Sequence, residues 1–545
     1  MGTTIYKFDL KQLINFIESK KVAVPEFQRG FVWRKKQVEV LFDSLIKQYP
    51  IGSFIIWRTT QQIDARALNG EKKLPRLKYL ILDGQQRMTS IYYLSRQIKF
   101  LESKARFQET CDNGERHLID FEKFSISKNS LEYKREGNCD LKFRKLSKLI
   151  KKSYKFPVVV ISLDDPHQAI KVFERINQAG TRISTESVFL SETWNNRSSI
   201  GKILRTRKKR KIGSLTSKID TVIFIHVFAI VHQLADLKSP ASRIEINIGA
   251  LKNIAKKVSR DKKGKYKRIF EDSIESVGRA MTFLKEEYQI DDIRELPSQT
   301  MVTVLSIFFY FKRKSLTKSQ QIELRKWYWR SSLSSRYIGL GYTENINGDV
   351  KAMKLLALEN KKLNIPRAPL EIFKKIEGVD MRAGRSTHRN IFKQALWQQK
   401  PLFITGRPIE RRDVETEQHK PEDDHFFPHY LQKKGIIGGE INNILNIHFL
   451  NRDENRAKTK KLPSKWLEES IKRDKPHQKA IEEYFKSELL PFKTLGDLKQ
   501  YERAFKSKNA KVIQRIFLKS YKRFLRKRLE LFKKALTRLQ NGKQK

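Results

Sequence analysis

Over roughly the first 195 positions the apolar residues fall in short unbroken runs separated by helix-spaced segments. "YPIGSFIIW" (Tyr49–Trp57), "LKYLILD" (Leu77–Asp83) and "FPVVVISL" (Phe156–Leu163) are apolar on successive residues, the pattern of strands buried on both faces. "KKQVEVLFDSLIKQY" between them spaces its apolar residues at helical intervals. Strands alternating with helices predict a compact α/β or α+β unit over 1–195.

The pattern changes from about 196 to 395. "TVIFIHVFAIVHQL", "SIESVGRAMTFLKEEY", "TVLSIFFYFKRK" and "QQIELRKWYWRSSLSSRY" carry helical periodicity and predict an all-helical middle domain. A basic run, "RTRKKRK" (Arg205–Lys211), marks a boundary or surface loop, and "RAGRSTHRN" (Arg382–Asn390) is a second loop whose basic groups could face a polyanion. Over 396–480 the order is extended piece, loop, second strand, helix. The remainder, 481–545, is basic, and Tyr501–Lys545 repeats Leu and Phe at helical spacing, which predicts a pair of basic helices. The expected fold class is therefore α+β and multidomain, with divisions at 1–195, 196–395, 396–480 and 481–545.

Charge sharpens this picture. The 545 residues carry 113 Lys and Arg against 60 Asp and Glu, a formal net charge of +53. A polyanion partner is the natural counterpart of such an excess, and nucleic acid is the commonest one. Cys111 and Cys139 allow no cysteine zinc cluster and no disulfide framework, which fits a reducing compartment. The longest apolar runs are too short to span a bilayer and the N-terminus has no signal-peptide core, so a cytoplasmic protein with no membrane partner is expected.

The segment "DDHFFPHYLQKKGIIGGEINNILNIHFLNRDENRAKTKKLPSKW" (Asp423–Trp466) holds the strongest chemical candidates. Phosphodiester hydrolysis needs a base for water and a hard cation at the leaving oxygen. Asp424 and Asn455 each offer an oxygen to magnesium or manganese, and His425 has the pKa range to take a proton from water. Neighbouring residues on an extended chain point to opposite sides, so Asp424 can hold the metal while His425 faces the attacking water. The Asp-His pair, Asn446, Asn455 nine positions later, Lys458 and Pro463 resemble the HNH, or ββα-metal, nuclease domain. That resemblance extends to RNA-guided CRISPR nucleases in the spacing N-x8-N-x2-K. It implies that His425 is the general base, that Asp424 and Asn455 are metal ligands, that Asn446 holds the loop carrying the base and that Lys458 assists near the phosphate. His429 and His448 read as structural or phosphate-side groups. No CxxC knuckle flanks the segment, so packing alone must hold it.

A second candidate is "ILDGQQRMTS" (Ile81–Ser90), a buried strand, a turn and a helix start. It reads two ways: as a capped turn in which Arg87 pairs with Asp83, or as a phosphate site. In the second reading helix N–H groups and Arg87 hold a phosphate, Asp83 binds magnesium or orients water, and Gln85 or Gln86 positions water. "VPEFQRGFVW" places Gln28 and Arg29 in a framed loop, and "VFERINQAGTRIS" offers Asn177. Together these three motifs resemble the N-terminal domain of GmrSD-type modification-dependent (type IV) restriction proteins, with a ParB/sulfiredoxin-like core. The resemblance implies that Gln28, Arg29, Asp83, Gly84, Arg87 and Asn177 bind a nucleoside triphosphate, GTP or ATP, and that the DGQQR motif hydrolyses it. No Walker P-loop is present.

The expectation is an antiphage restriction endonuclease that nicks or cleaves modified DNA, with nucleotide turnover regulating a C-terminal nuclease. Two alternatives stand beside it: an HNH nuclease whose N-terminal domain senses DNA without NTPase activity, and a non-enzymatic DNA-binding protein. One HNH domain cuts one strand, so a double-strand break calls for a homodimer or two nicks.

Overall fold

In the computed structural model the described residues are 2–25, 28, 31, 33, 35–61, 65–68, 77–95, 106–110, 116–120, 124–127, 130–133, 154–163, 165–178, 189–190, 193, 200, 203–204, 219–236, 242–261, 264–339, 341–369, 378–380, 387–410, 422–450, 452–458, 460–477 and 479–543. Arg29, Cys111, Cys139, the Arg205–Lys211 run and most of the Arg382–Asn390 loop lie outside them. The chain divides into two compact units, Met1–Arg207 with Ile246–Arg268, and Lys208–Glu245 with Ile269–Lys545.

The first unit is built on a mixed six-stranded sheet of β1 (Gly2–Phe8), β2 (Val22–Pro25), β3 (Phe54–Thr59), β4 (Ala65–Ala67), β5 (Lys78–Asp83) and β10 (Phe156–Ser162), in the order β1-β10-β3-β5-β2-β4. The three runs read as buried strands become β3, β5 and β10, side by side at the sheet centre. β10 runs parallel to β3, and β3 antiparallel to β5, where Trp57 faces Leu80. Two separate hairpins, β6 (Arg106–Thr110) with β7 (Arg116–Asp120) and β8 (Phe124–Ser127) with β9 (Ser130–Tyr133), lie between β5 and β10 in the chain. Helices α1 (Leu10–Phe16), α2 (Lys35–Ile46), α3 (Gln85–Ser95) and α4 (Pro166–Gln178) complete the layer. Leu13, Leu45, Phe54, Ile56, Ile81, Met88, Ile91, Phe156 and Val158 share one core, so α3 is anchored through its Met88 and Ile91 face. The indole of Trp57, fully buried, donates to the Leu163 carbonyl at 2.9 Å.

Helix α6 (Ile248–Ser259) also belongs to the first unit. Helices α5 (Thr221–Ala235), α7 (Lys265–Tyr288), α8 (Thr300–Phe311), α9 (Lys318–Leu333), α10 (Tyr342–Glu359) and α11 (Thr387–Trp397) form the helical part of the second. α5 and α8 are apolar all round, which is the pattern of a helix enclosed by others; α8 packs against both α5 and α10. The charged residues kept inside are paired: Arg336 donates to both oxygens of Asp349 at 2.7 and 2.9 Å, and Tyr337 Oη donates to the same carboxylate at 2.5 Å. No helix among the described residues is long and apolar enough to cross a membrane.

The C-terminal part follows as β11 (Glu422–His425), α12 (Tyr430–Lys433), β12 (Ile447–Leu450), α13 (Arg452–Lys458), α14 (Pro463–Asp474), α15 (Ala480–Ser487), α16 (Leu495–Tyr501) and α17 (Ala510–Gln540). The stretch expected as a basic helix pair is a 3-10 turn, Arg503–Lys506, and one 31-residue helix. Asn509 caps that helix by accepting from the N–H groups of Lys511 and Val512, and no Gly or Pro interrupts it afterwards. α17 joins two parts of its unit. Its far end stacks Phe532 on Phe392 of α11 at 4.0 Å between ring centres, and its near end puts Phe524 against Phe426 and Phe427 at 5.8 and 5.1 Å.

Candidate nuclease and nucleotide sites

β11 and β12 pair antiparallel, with Asp424 opposite His448 and His425 opposite Ile447, and α13 packs on β11. The strand–loop–strand–helix order expected from the sequence is thus closed in space, and it brings Asp424, His425, Asn446, His448 and Lys458 together. α13 begins at Arg452, so Asp453 lies inside its first turn.

Aromatic packing holds this part of the chain in place. Phe426 and Phe427 are fully buried against Phe492, Phe517, Tyr521 and Phe524. They anchor the chain one and two residues beyond His425, which sets the angle of that side chain. Asn446, also fully buried, clamps the same turn: its amide accepts from the Phe427 N–H at 2.9 Å and donates to the carbonyls of Phe427 and Ile441 at 3.0 and 2.9 Å. Its own carbonyl accepts from the Phe426 N–H at 2.6 Å.

His425 Nε2 meets Asn442 Oδ1 at 3.1 Å. With a carbonyl oxygen as partner, Nε2 carries the proton and Nδ1 the lone pair, the tautomer a base requires. Burial, the largest influence, pushes the His425 pKa below its ordinary value; the Asn442 bond and the Asp424 charge push back without restoring it. The ring is therefore neutral at neutral pH. His429 lies beside it, ring centres 5.5 Å apart.

Lys458 is 1% exposed, and its ammonium bonds Asp424 Oδ2, the His425 carbonyl and, at 3.0 Å, His448 Nε2. It is thus directed inward, joining both residues of the Asp-His pair to α13. Burial alone would raise the Asp424 pKa, but the Lys458 charge overrides it and holds the carboxyl well below the usual range. Burial and the same charge push His448 down to about 3. A neutral His448 accepts from Lys458 through Nε2, and its Nδ1 bonds the buried Tyr484 hydroxyl.

Among the described residues no group of three His, Cys, Asp or Glu side chains is arranged to hold a metal. Asp424 still fits one end of a magnesium site: Lys458 and His448 both approach Oδ2, and Oδ1 takes no hydrogen bond from the described residues. Asn455 lies half-buried on α13, three residues before Lys458.

Nothing in the sequence pattern singled out Asn442, which stands among three loop asparagines, nor Tyr484 and Arg528. Arg528 is wholly buried on α17 and donates to the carbonyls of Leu445 and Glu488 at 2.5 and 2.9 Å, while Tyr521 Oη donates to the Glu440 carbonyl at 2.9 Å. The second half of the loop between the strands is thus tied to α17 at two points.

In the first unit, β5 ends at Asp83 and α3 starts at Gln85, as the sequence predicts. Gly84 between them has φ +86°, and a Cβ there would meet the Phe54 ring at 2.5 Å, so only glycine fits. Arg87 Nη2 pairs with Asp83 at 2.8 Å and donates to the Ser53 carbonyl at 3.2 Å, while Nη1 donates to the Ile51 carbonyl. The guanidinium ties β5, α3 and the approach to β3 into one knot. Buried Gln28 donates to the carbonyls of Ile81 and Leu82 at 2.6 and 3.1 Å, and Gln86 Oε1 accepts from the Trp33 N–H at 3.3 Å. Gln85 is buried at the helix start. The structure brings Gln28, Asp83, Gly84, Gln85, Gln86 and Arg87 together; Asn177 is the penultimate residue of α4, and its side chain lies outside the described residues.

Residues 10–194 match the family model of the GmrSD restriction endonuclease N-terminal domain. That match covers about a third of the chain. The chain is also similar to the uncharacterized protein MJ0686 of Methanocaldococcus jannaschii, 24% identical over 550 aligned positions that cover 85% of this chain and 87% of the relative. This likeness extends well beyond the N-terminal match, into the part that carries Asp424 and His425.

Proposed function

We propose that this protein is a DNA endonuclease of the modification-dependent restriction type, acting in phage defence, and that its β11–loop–β12–α13 unit is an HNH nuclease domain. The observation that carries the reading is the convergence of Asp424 and His425 on one strand with Lys458 from α13, around a half-buried, neutral imidazole. The GmrSD match at the other end of the chain supports restriction as the setting and DNA as the substrate.

In this mechanism His425 Nδ1 takes the proton of the attacking water, and Asn442 fixes the ring in that tautomer. Asp424 and Asn455 would hold a divalent cation, magnesium or manganese, which would supply charge stabilisation at the phosphate and the leaving oxygen. Lys458 fixes the Asp424 carboxylate and the His425 backbone, so base and ligand keep their relative aim. Asn446 and the Phe426–Phe427 anchor hold the turn after His425. The reading is tested by incubating plasmid, modified and unmodified, with the protein and magnesium: cleavage is expected, and no cleavage of any DNA would overturn it.

The β5–Gly84–α3 junction enters the proposal as a nucleoside triphosphate site that governs cleavage. The GmrSD match supports this, as do the N–H groups of the first α3 turn, which the helix itself leaves unused. Arg87, committed to Asp83 and two carbonyls, shapes the junction, leaving the helix start and Gln85 to face a phosphate. GTP or ATP turnover by the intact protein, lost in Asp83→Ala, is the expected result. Turnover unchanged in that variant, with cleavage also unchanged, would favour an N-terminal domain that senses DNA without hydrolysing nucleotide.

A further inference from the structure

The two long sides of α17 differ sharply. One is buried and holds the candidate nuclease loop through Phe517, Tyr521, Phe524 and Arg528. The other is exposed and shows Lys511, Arg515, Lys519, Lys522 and Arg526, at intervals of four, four, three and four residues. Such intervals put side chains on one helical stripe. The stripe is about 22 Å long at 1.5 Å per residue. The sequence has no acid from Ala510 to Leu529, and none of these five cations meets a carboxylate among the described residues. The stripe ends where Glu530 pairs with Lys533 at 2.7 Å. Arg523, just beside it, lies over the Tyr501 ring at 5.4 Å.

Like charges at i,i+4 repel and weaken the helix that carries them. A helix facing only water gains nothing from stacking five of them without one acid. About 22 Å of duplex axis carries roughly a dozen phosphates on its two strands, a matching density of opposite charge.

We infer that the exposed stripe of α17 is a docking surface for the phosphate backbone of duplex DNA. It works on the same helix that holds the loop of the nuclease site from behind. The inference rests on the DNA-directed reading of that site and gives it a specific contact surface.

The test is the salt dependence of binding to one unmodified duplex, measured in EDTA on the full-length His425→Ala protein, so that no cleavage intervenes. Into this background go Arg515→Gln, Lys519→Gln, Lys522→Gln and Arg526→Gln together. A control carries Lys314→Gln, Lys318→Gln, Lys361→Gln and Lys362→Gln, the same loss of charge elsewhere on the surface. The stripe variant should bind at least tenfold more weakly at moderate salt. Its slope of log affinity against log salt should fall by roughly 3 to 4, at about 0.9 per phosphate contact. The control should keep the parent slope. An unchanged slope in the stripe variant, an equal fall in the control, or no DNA binding by the parent would each overturn the inference. So would loss of binding to anionic phosphatidylserine vesicles with DNA binding intact. Because the readout is binding, a parent that binds through the stripe yet never cuts when its His425 is restored would leave the inference standing and remove the nuclease reading alone.

Discussion

At the scale of single residues, the site depends on how burial and charge set protonation. His425 is held neutral by burial, so its acid limb lies below the ordinary histidine pKa of about 6.5. Cleavage should hold steady from pH 8 down past 6.5 and fall only below that, as the ring gains a proton. A rate that already halves near pH 7 would contradict the assignment. Lys458 makes a different prediction. Removing one partner of a buried ion pair costs on the order of 3–5 kcal/mol, because the other charge stays buried. Lys458→Met should therefore lower stability by about that amount, measured by denaturant unfolding, and reduce cleavage through the misplaced Asp424 and His425. Asp424, whose folded pKa is depressed, contributes stability that is present above its unfolded pKa and is lost as acid protonates it. In Lys458→Met this acid-dependent loss should largely disappear.

At the scale of elements, packing decided several features that sequence pattern left open. The strand–loop–strand–helix order and the β5–turn–α3 junction were legible, since strand runs, turn glycine and helix start all act locally. Asn446 was legible from its spacing. The internal bonds of Lys458 were not, because they depend on strand and helix meeting in space, and neither was the capture of Leu445 and Glu488 carbonyls by Arg528. Both readings of Arg87 were open in the sequence; its pairing with Asp83 became visible only with the carbonyls of Ile51 and Ser53 beside it. The single long α17, in place of a helix pair, follows from an apolar stripe that continues without a breaker through Gln540. The start of α14 gives a further prediction. Glu502, buried, accepts from the N–H and hydroxyl of Ser464, yet burial raises its pKa to about 7. A carboxyl whose folded pKa is raised binds its proton more tightly when folded. Stability should therefore drop as pH rises from about 4.5 to 7, by an amount on the order of 3 kcal/mol at 1.36 kcal/mol per pH unit. Glu502→Gln should flatten that part of the stability–pH curve; an unchanged curve would show that Glu502 is not its source.

At the scale of the whole molecule, the chain combines a GmrSD-type N-terminal domain with a C-terminal part in which Asp424, His425 and Lys458 converge. Its net charge of +53 is consistent with a polyanion partner, and α17, with 11 Lys and Arg against one Glu, carries a dense share of it. Chelation of divalent cations should abolish cleavage while leaving DNA binding intact, since the binding surface is made of side-chain cations and the chemistry is not. Whether His425 is the base of a DNA nuclease is decided by following supercoiled plasmid with magnesium in the presence of wild-type protein or His425→Ala. Nicking by the wild type is expected, with a loss of at least a hundredfold in the variant, the scale of a general base, and DNA affinity unchanged. A variant that still cuts at the wild-type rate would contradict it.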